Sequence, residues 1–157
     1  MKTKQILKLL ISISFPLILG GIAGSFTAGG ISDWYQMLNK PSFNPPGWIF
    51  GPVWTILYLI MGYSLYLIWN QNASKKRNIA LGIFLLQQIL NFAWSFLFFY
   101  FGLIGWALVE IIVLWISIVV MLALFYKIKP QTAYINIPYL LWVSFATLLN
   151  ASFYVLN

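Results

Sequence analysis

The chain has 157 residues, 62% hydrophobic and only 7% charged. A soluble domain carries roughly 25% charged residues, so too few charges remain to clothe a water-facing surface, and a bilayer-embedded chain is the reading. The net charge is +7, with no Cys and no His, which excludes disulfides, thiol nucleophiles, metal or haem sites built on Cys or His, and a Ser-His-Asp triad.

Five apolar stretches follow in order, at about residues 6–28, 47–69, 79–101, 104–126 and 132–156. At 1.5 Å per residue each can cross ~30 Å of hydrocarbon. The expected fold class is therefore all-α: an integral membrane bundle of five transmembrane helices, one domain over residues 1–157. The first stretch follows Lys2, Lys4 and Lys8. It exceeds the ~7–15 apolar residues of a signal-peptide core, so it reads as an uncleaved helix, bent at Pro16. Gly20, Gly24 and Ala28 have small-xxx-small spacing there, which lets helix backbones meet, either in a dimer interface or within one monomer. The segment from about Ala28 to Pro46 is the one long loop. Pro41, Pro45 and Pro46 make it a shaped cap rather than a tether. The third and fourth spans meet at a short link with Gly102 and Gly105, so they are antiparallel neighbours.

Charge placement orients the bundle. Lys2, Lys4, Lys8, Lys75, Lys76, Arg77, Lys127 and Lys129 fall on one side of a five-span chain, and only Lys40 falls on the other. The positive-inside rule then puts the N-terminus in the cytoplasm and the C-terminus outside, in a bacterial plasma membrane. The basic residues are thus topological signals and contacts for anionic membrane lipid. No nucleic-acid partner is expected.

Polar groups are costly inside a bilayer, so their depth is informative. Asn91 lies about 14 Å, and Glu110 about 9 Å, from the outer ends of their helices. Trp54, Thr147 and Asn150 share that outer half. Gln88, Asn91, Ser95 and Phe98 form one stripe on the third helix, and Tyr139, Trp142, Ala146 and Asn150 form one on the fifth. Asn91 and Asn150 read equally well as hydrogen-bonding glue between helices and as ligand contacts. Glu110 has no cation at its depth. It is expected to be uncharged or hydrogen-bonded to a neighbouring helix, with Lys40 as a candidate partner. Trp34, Trp48, Trp69 and Trp106 sit near span ends, as an interfacial belt requires. Trp54, Trp94, Trp115 and Trp142 sit deeper, either as core or as walls for a flat, conjugated, apolar ligand.

The stretch WYQMLNKPSFNPPGWIFGPVWTILYLIMGY from Trp34 to Tyr63, NFAWSFLFF from Asn91 to Phe99 and PYLLWVSFATLLN from Pro138 to Asn150 resemble, in order and over essentially the whole chain, the TspO/MBR family of tryptophan-rich sensory proteins and translocator proteins (peripheral benzodiazepine receptors). The resemblance implies a five-helix bundle, often a homodimer. It also implies a pocket near the first loop for protoporphyrin IX or related tetrapyrroles, with no other cofactor and no metal. By position, the implied ligand-binding residues are Ser25, Tyr35, Trp54, Tyr58, Asn91, Trp94, Phe98, Trp142, Phe145 and Ala146. Trp54 and Trp142 match the tryptophans tied in bacterial relatives to light-dependent porphyrin degradation, and so are the catalytic candidates. Glu110 stands where the family usually has Asp, and Phe43 where Trp is common. Val143 to Phe145 reads VSF in place of LAF. Tyr154 has no basic residue after it, which removes the end of the family's sterol motif, itself a weak pattern, and leaves cholesterol a doubtful partner.

The reading is a membrane receptor or sensor for porphyrins. The alternatives are a transporter of tetrapyrroles or other lipophilic molecules, and a regulatory helix partner of another membrane protein. A driven transporter would normally carry ionisable groups along its path, and Glu110 is the lone intramembrane one.

Overall fold

A computed structural model describes residues 3–30 and 34–157, with side chains for 3–26 and 34–157. Lys2, Asp33 and the side chain of Ala28 lie outside the described residues. Helix α1 is Thr3–Gly30, α2 is the short Trp34–Met37, and α3 is Phe50–Trp69, entered through a 3-10 turn at Gly47–Ile49. Helix α4 is Lys75–Ser95, α5 is Ile104–Ile128, α6 is Pro130–Ile135 and α7 is Ile137–Leu156. The five spans are Thr3–Phe26, Gly47–Trp69, Lys75–Tyr100, Ile104–Ile128 and Pro130–Leu156, each long and apolar enough to cross a membrane. They match the five expected stretches, and the chain is a multi-pass membrane protein.

Three boundaries have local causes that hydropathy does not carry. Helix α4 begins before residue 79 because Ser74 is extended (φ −153°, ψ 157°) and its hydroxyl accepts the Arg77 amide at 3.2 Å, satisfying one of the orphan donors of the first turn. The same helix ends in a π-helical turn at Phe96–Tyr100, where the Phe101 amide donates to the Phe96 carbonyl at 2.9 Å. Gly102 then takes φ +65°, and a Cβ there would stand 2.9 Å from the Trp34 indole. The fifth span is broken rather than continuous. Pro138 supplies no amide and disfavours a helical residue before it, and the chain turns at Asn136 (φ −94°, ψ 1°) between α6 and α7. The turn is held inside the bundle, where Asn136 Nδ2 donates to the Ser64 hydroxyl and the Thr132 carbonyl.

The helices bury side chains toward one another and leave apolar ones outward, as lipid requires. Met61, Phe84, Met121, Phe125 and Tyr139 are fully buried, with the Phe84 and Phe125 rings stacked 6.3 Å apart. Leu10, Ile18, Ile89 and Leu141 face outward. Helix α5 packs against α4, α6 and α7, while α1 packs chiefly along α3 and touches α4 and the π turn. Helix α1 continues through the buried Pro16.

The α1–α3 packing is tightest at one point. A Cβ on Gly62 would stand 2.6 Å from Ile13 Cα and 2.7 Å from the Ser12 carbonyl oxygen. Both are backbone atoms, so neither can swing aside. Gly62→Ala is expected to destabilise the bundle by about 1–3 kcal/mol, as overpacking does. Its thermal unfolding midpoint in detergent should fall, whereas Gly82→Ala, with nothing within 4 Å of the new Cβ, should leave it level. Equal midpoints for the two variants would contradict the contact.

Candidate functional site

Toward the loop end of the bundle lies a cavity of about 530 Å³. Helix α1 supplies Leu17, Gly20, Gly21, Ala23 and Gly24, and the entry to α3 supplies Gly47, Phe50, Gly51, Trp54, Thr55 and Tyr58. Trp94, Ser95 and Phe99 come from α4 and its π turn, and Tyr35 comes from the loop helix. Both runs follow helical spacing of three and four, so each helix turns one face to the space. No charged side chain is among the described lining residues.

The aromatic wall is ordered by stacking. The rings of Trp54 and Tyr58 lie 5.4 Å apart at 25°, one turn of α3 from each other, and Trp54 meets Tyr139 edge-on at 6.3 Å. Gly20 makes room for this wall, since a Cβ there would fall 2.0 Å from the Tyr58 ring. Behind the wall runs a buried hydrogen-bond chain. The Tyr58 hydroxyl donates to Asn91 Oδ1 (2.9 Å), Asn91 Nδ2 donates to the Tyr139 hydroxyl (3.3 Å), and that hydroxyl donates to Gln87 Oε1 (2.8 Å). Gln87 Nε2 then donates to Gln88 Oε1 at 3.0 Å. Trp94 is fixed in the same manner, its indole N–H donating to Asn150 Oδ1 at 3.0 Å while Asn150 Nδ2 donates to the Ile104 carbonyl.

The loop forms a built cap. The Tyr35 hydroxyl donates to Asn44 Oδ1 at 3.0 Å, and the Asn44 amide closes a turn on the Pro41 carbonyl. Asn39 and Asn157 exchange hydrogen bonds of 2.8 and 3.1 Å, pinning the loop to the end of α7. Lys40 Nζ lies 4.9 Å over the Tyr35 ring.

Of the ten residues singled out for ligand contact, Tyr35, Trp54, Tyr58 and Trp94 share the cavity. Asn91 lies behind it, bonded to Tyr58. Phe98, Trp142, Phe145 and Ala146 line a neighbouring space of only about 10 Å³. There Phe50 packs on Trp142 at 5.9 Å, and Trp142 on Phe145 at 5.7 Å. Tyr35, Phe50, Trp94 and Phe99 are common to both spaces and form the wall between them. Ser25 is exposed on α1, and its hydroxyl donates to the Ile22 carbonyl. Gly20 and Gly24 face the cavity within the monomer. Trp115 is partly exposed and bonds Ser144, away from the cavity. The expected Lys40–Glu110 pairing is not found. Lys40 sits on Tyr35, and both Glu110 carboxyl oxygens are buried without a hydrogen-bond partner among the described residues.

Phe50, Thr55, Gly47 and Gly51 escaped the sequence reading. Their signal was present: positions 47, 51, 54, 55 and 58 are one helical face, and positions 17, 20, 21 and 24 of α1 are another. Among the described residues no cluster of three His, Cys, Asp or Glu side chains could hold a metal.

A family model described as the TspO/MBR family matches residues 12–156. The chain is 39% identical to "Tryptophan-rich protein TspO" of Chlorobaculum tepidum, covering 98% of each chain. It is 39% identical to the protein of the same name from Archaeoglobus fulgidus, over 98% of this chain and 99% of that one. It is also 39% identical to "Translocator protein" of Homo sapiens, over 84% of this chain and 80% of the human one.

Two outcomes test this geometry. Asn91→Leu leaves the buried Tyr58 hydroxyl without its acceptor, so it is expected to cost about 1–2 kcal/mol, read as a lower unfolding midpoint; an unchanged midpoint would show that the chain of bonds holds nothing. Burial raises the Tyr35 phenol above the ordinary 10.0. An unfolded Tyr35 ionises first, so the stability that the docked phenol contributes is complete below pH about 10 and lost as pH climbs through the folded value. The stability advantage of wild type over Tyr35→Phe should therefore be level up to that pH and shrink above it. An advantage that grows with alkalinity would reverse the assignment.

Proposed function

The chain belongs to the TspO/MBR family, and from that premise we propose that it is a membrane receptor for flat, conjugated, apolar molecules of the porphyrin class, held in the cavity between α1, α3 and α4. The observation that carries this reading is the cavity itself. Its volume of about 530 Å³ falls within the ~300–1,000 Å³ range of small-molecule sites. Its deep wall is the stacked pair Trp54 and Tyr58, aromatic surface of the kind a planar conjugated ligand would pack on. Polar side chains among the described lining residues are few, chiefly Tyr35, Thr55 and Ser95; the Tyr35 and Thr55 hydroxyls donate within the protein, so toward a ligand's polar edge they would act as acceptors.

Among the described residues the lining carries no charged side chain, which favours a receptor over a proton-coupled transporter, since that needs ionisable groups along its path. Glu110 lies on α5, off the cavity. The two tryptophans are not equivalent. Trp54 lines the cavity, while Trp142 lies behind Phe50 with its indole nitrogen buried and unpartnered among the described residues. Any light-driven reaction of the bound ligand therefore falls to Trp54 first. Gly20 and Gly24 are assigned to the cavity, so a homodimer would use another face of the bundle. The basic end, with Lys4, Lys8, Lys75, Lys76, Arg77, Lys127 and Lys129, is placed at the cytoplasmic face and the capped cavity toward the outer leaflet.

Quenching of intrinsic Trp fluorescence by protoporphyrin IX tests the reading. Wild type is expected to bind saturably. Trp54→Ala is expected to weaken binding by about 1–3 kcal/mol, the loss of one aromatic stacking partner, and Trp142→Phe to change it little. No saturable quenching in wild type would refute the receptor, and equal losses in both variants would refute the assignment of the cavity.

A further inference from the structure

The cavity has an open side. Gly21 and Gly24 on α1 and Gly47 and Gly51 at the start of α3 all line it, and all four are exposed. A Cβ built on any of them would meet no heavy atom within 4 Å. Thr55, also exposed, continues the α3 edge inward. Thr55 lies eight residues below Gly47, about 12 Å along the helix. The gap therefore runs beside the half of the ~30 Å hydrocarbon layer nearest the loop.

Its origin is the packing of the two helices. At Gly62 the α3 backbone stands against Ile13 and Ser12 of α1. Nearer the loop the Tyr58 ring fills the space beside Gly20. Beyond that, among the described residues, a Cβ built on Gly21, Gly51 or Gly47 would meet no atom of the facing helix within 4 Å. The two helices thus part toward the loop end, with Tyr58 as the floor of the gap. Above it the loop is tied down by the Tyr35–Asn44 bond and the Asn39–Asn157 exchange.

We propose that this glycine-edged gap between α1 and α3 is a lateral portal, through which a bilayer-dissolved planar apolar molecule enters and leaves the cavity without passing through the loop. The inference rests on the receptor reading above. The occupant is set by the surroundings: among the described residues the edges carry no charged side chain, and the solvent at that depth is lipid. Glycine at the edges serves the passage, because each side chain it lacks would narrow the slot. The flanking α1 residues Ile18, Ile22 and Phe26 are exposed and apolar, so a molecule approaching along α1 stays in hydrocarbon.

The test is the rate of binding in vesicles with protoporphyrin IX as the probe. Gly21→Leu and Gly51→Leu place a bulky side chain on opposite edges, each in open space, so neither forces the backbone. A portal predicts that each variant slows entry by about tenfold, an added barrier of about 1.4 kcal/mol, and slows release as well. Wild-type rates in both variants would overturn the portal while leaving the receptor standing. Faster release without slower entry would also overturn it, by placing the side chain in the site rather than in the passage. Absence of binding in wild type would instead sink the receptor reading on which the portal rests. Since the chain has no Cys, Gly51→Cys carrying a nitroxide gives a second measurement. Dissolved oxygen, which concentrates in lipid, should relax the label more than a water-soluble nickel chelate does. Stronger relaxation by the chelate would show that the gap opens to water, and the lateral route would fall.

Discussion

The contact of the α3 backbone with the α1 backbone at Gly62 is the constraint from which the cavity follows. With no Cβ at Gly62, Ile13 Cα and the Ser12 carbonyl come closer than any side chain would allow. Close backbone approach at small residues is how helices gain packing energy in lipid, where the hydrophobic effect gives them none. A helix pair joined tightly at one level need not be joined at another. Here the next level is bridged by an aromatic ring, Tyr58 against Gly20, and at the level after that a Cβ built on Gly21 or Gly51 would meet open space among the described residues. The open space is a consequence of where the close contact falls.

A cavity in a membrane protein needs walls that do not collapse into it. The buried amides supply that stiffness. Asn91 holds Tyr58 from behind and reaches Tyr139 on α7, so one side chain ties α3, α4 and α7 together. Asn150 ties Trp94 on α4 to the Ile104 carbonyl on α5. Each such bond is modest, about 0.6 kcal/mol on average within a membrane. Their value here is directional: they fix the planes of the rings that face the cavity. Asn91 and Asn150 thus serve as helix glue, and they govern the site through the rings they hold.

Much of the bundle was legible because hydrocarbon imposes a length and a composition on every span. The capped loop was legible from its prolines. Trp54 and Trp94 were legible as cavity residues from motif and depth together, and Tyr35 and Tyr58 from the family resemblance alone. Depth, however, carries no azimuth. Trp142 lies on the far side of Phe50, in a space already filled by aromatic rings. The π turn at Phe96–Tyr100 is set by backbone hydrogen-bond register, for which a run of Phe and Tyr gives no sign. The break at Asn136 was foreshadowed by Pro138, though hydropathy runs across it unmarked. The glycines of α1 were noticed for their spacing, and only the packing tells which partner the spacing serves. Gly20 meets Tyr58, and Gly21 and Gly24 meet the cavity.

Phe50 stands at the point where the two spaces meet. On one side it lines the open cavity, and on the other it packs on Trp142. The filled space holds a buried indole N–H with no acceptor among the described residues, a costly arrangement for a polar group in an apolar setting. The open cavity, by contrast, has the Tyr58 phenol held by Asn91 and the Trp94 indole held by Asn150. A ligand that remained on the α1 side would leave the Phe50–Trp142 contact intact. One large enough to displace Phe50 would gain the Trp142 ring as a further contact and could offer its N–H an acceptor. On the proposed receptor reading, the same aromatic wall would separate two sizes of ligand by the side chain that each must move, and the α1 side is the one already open.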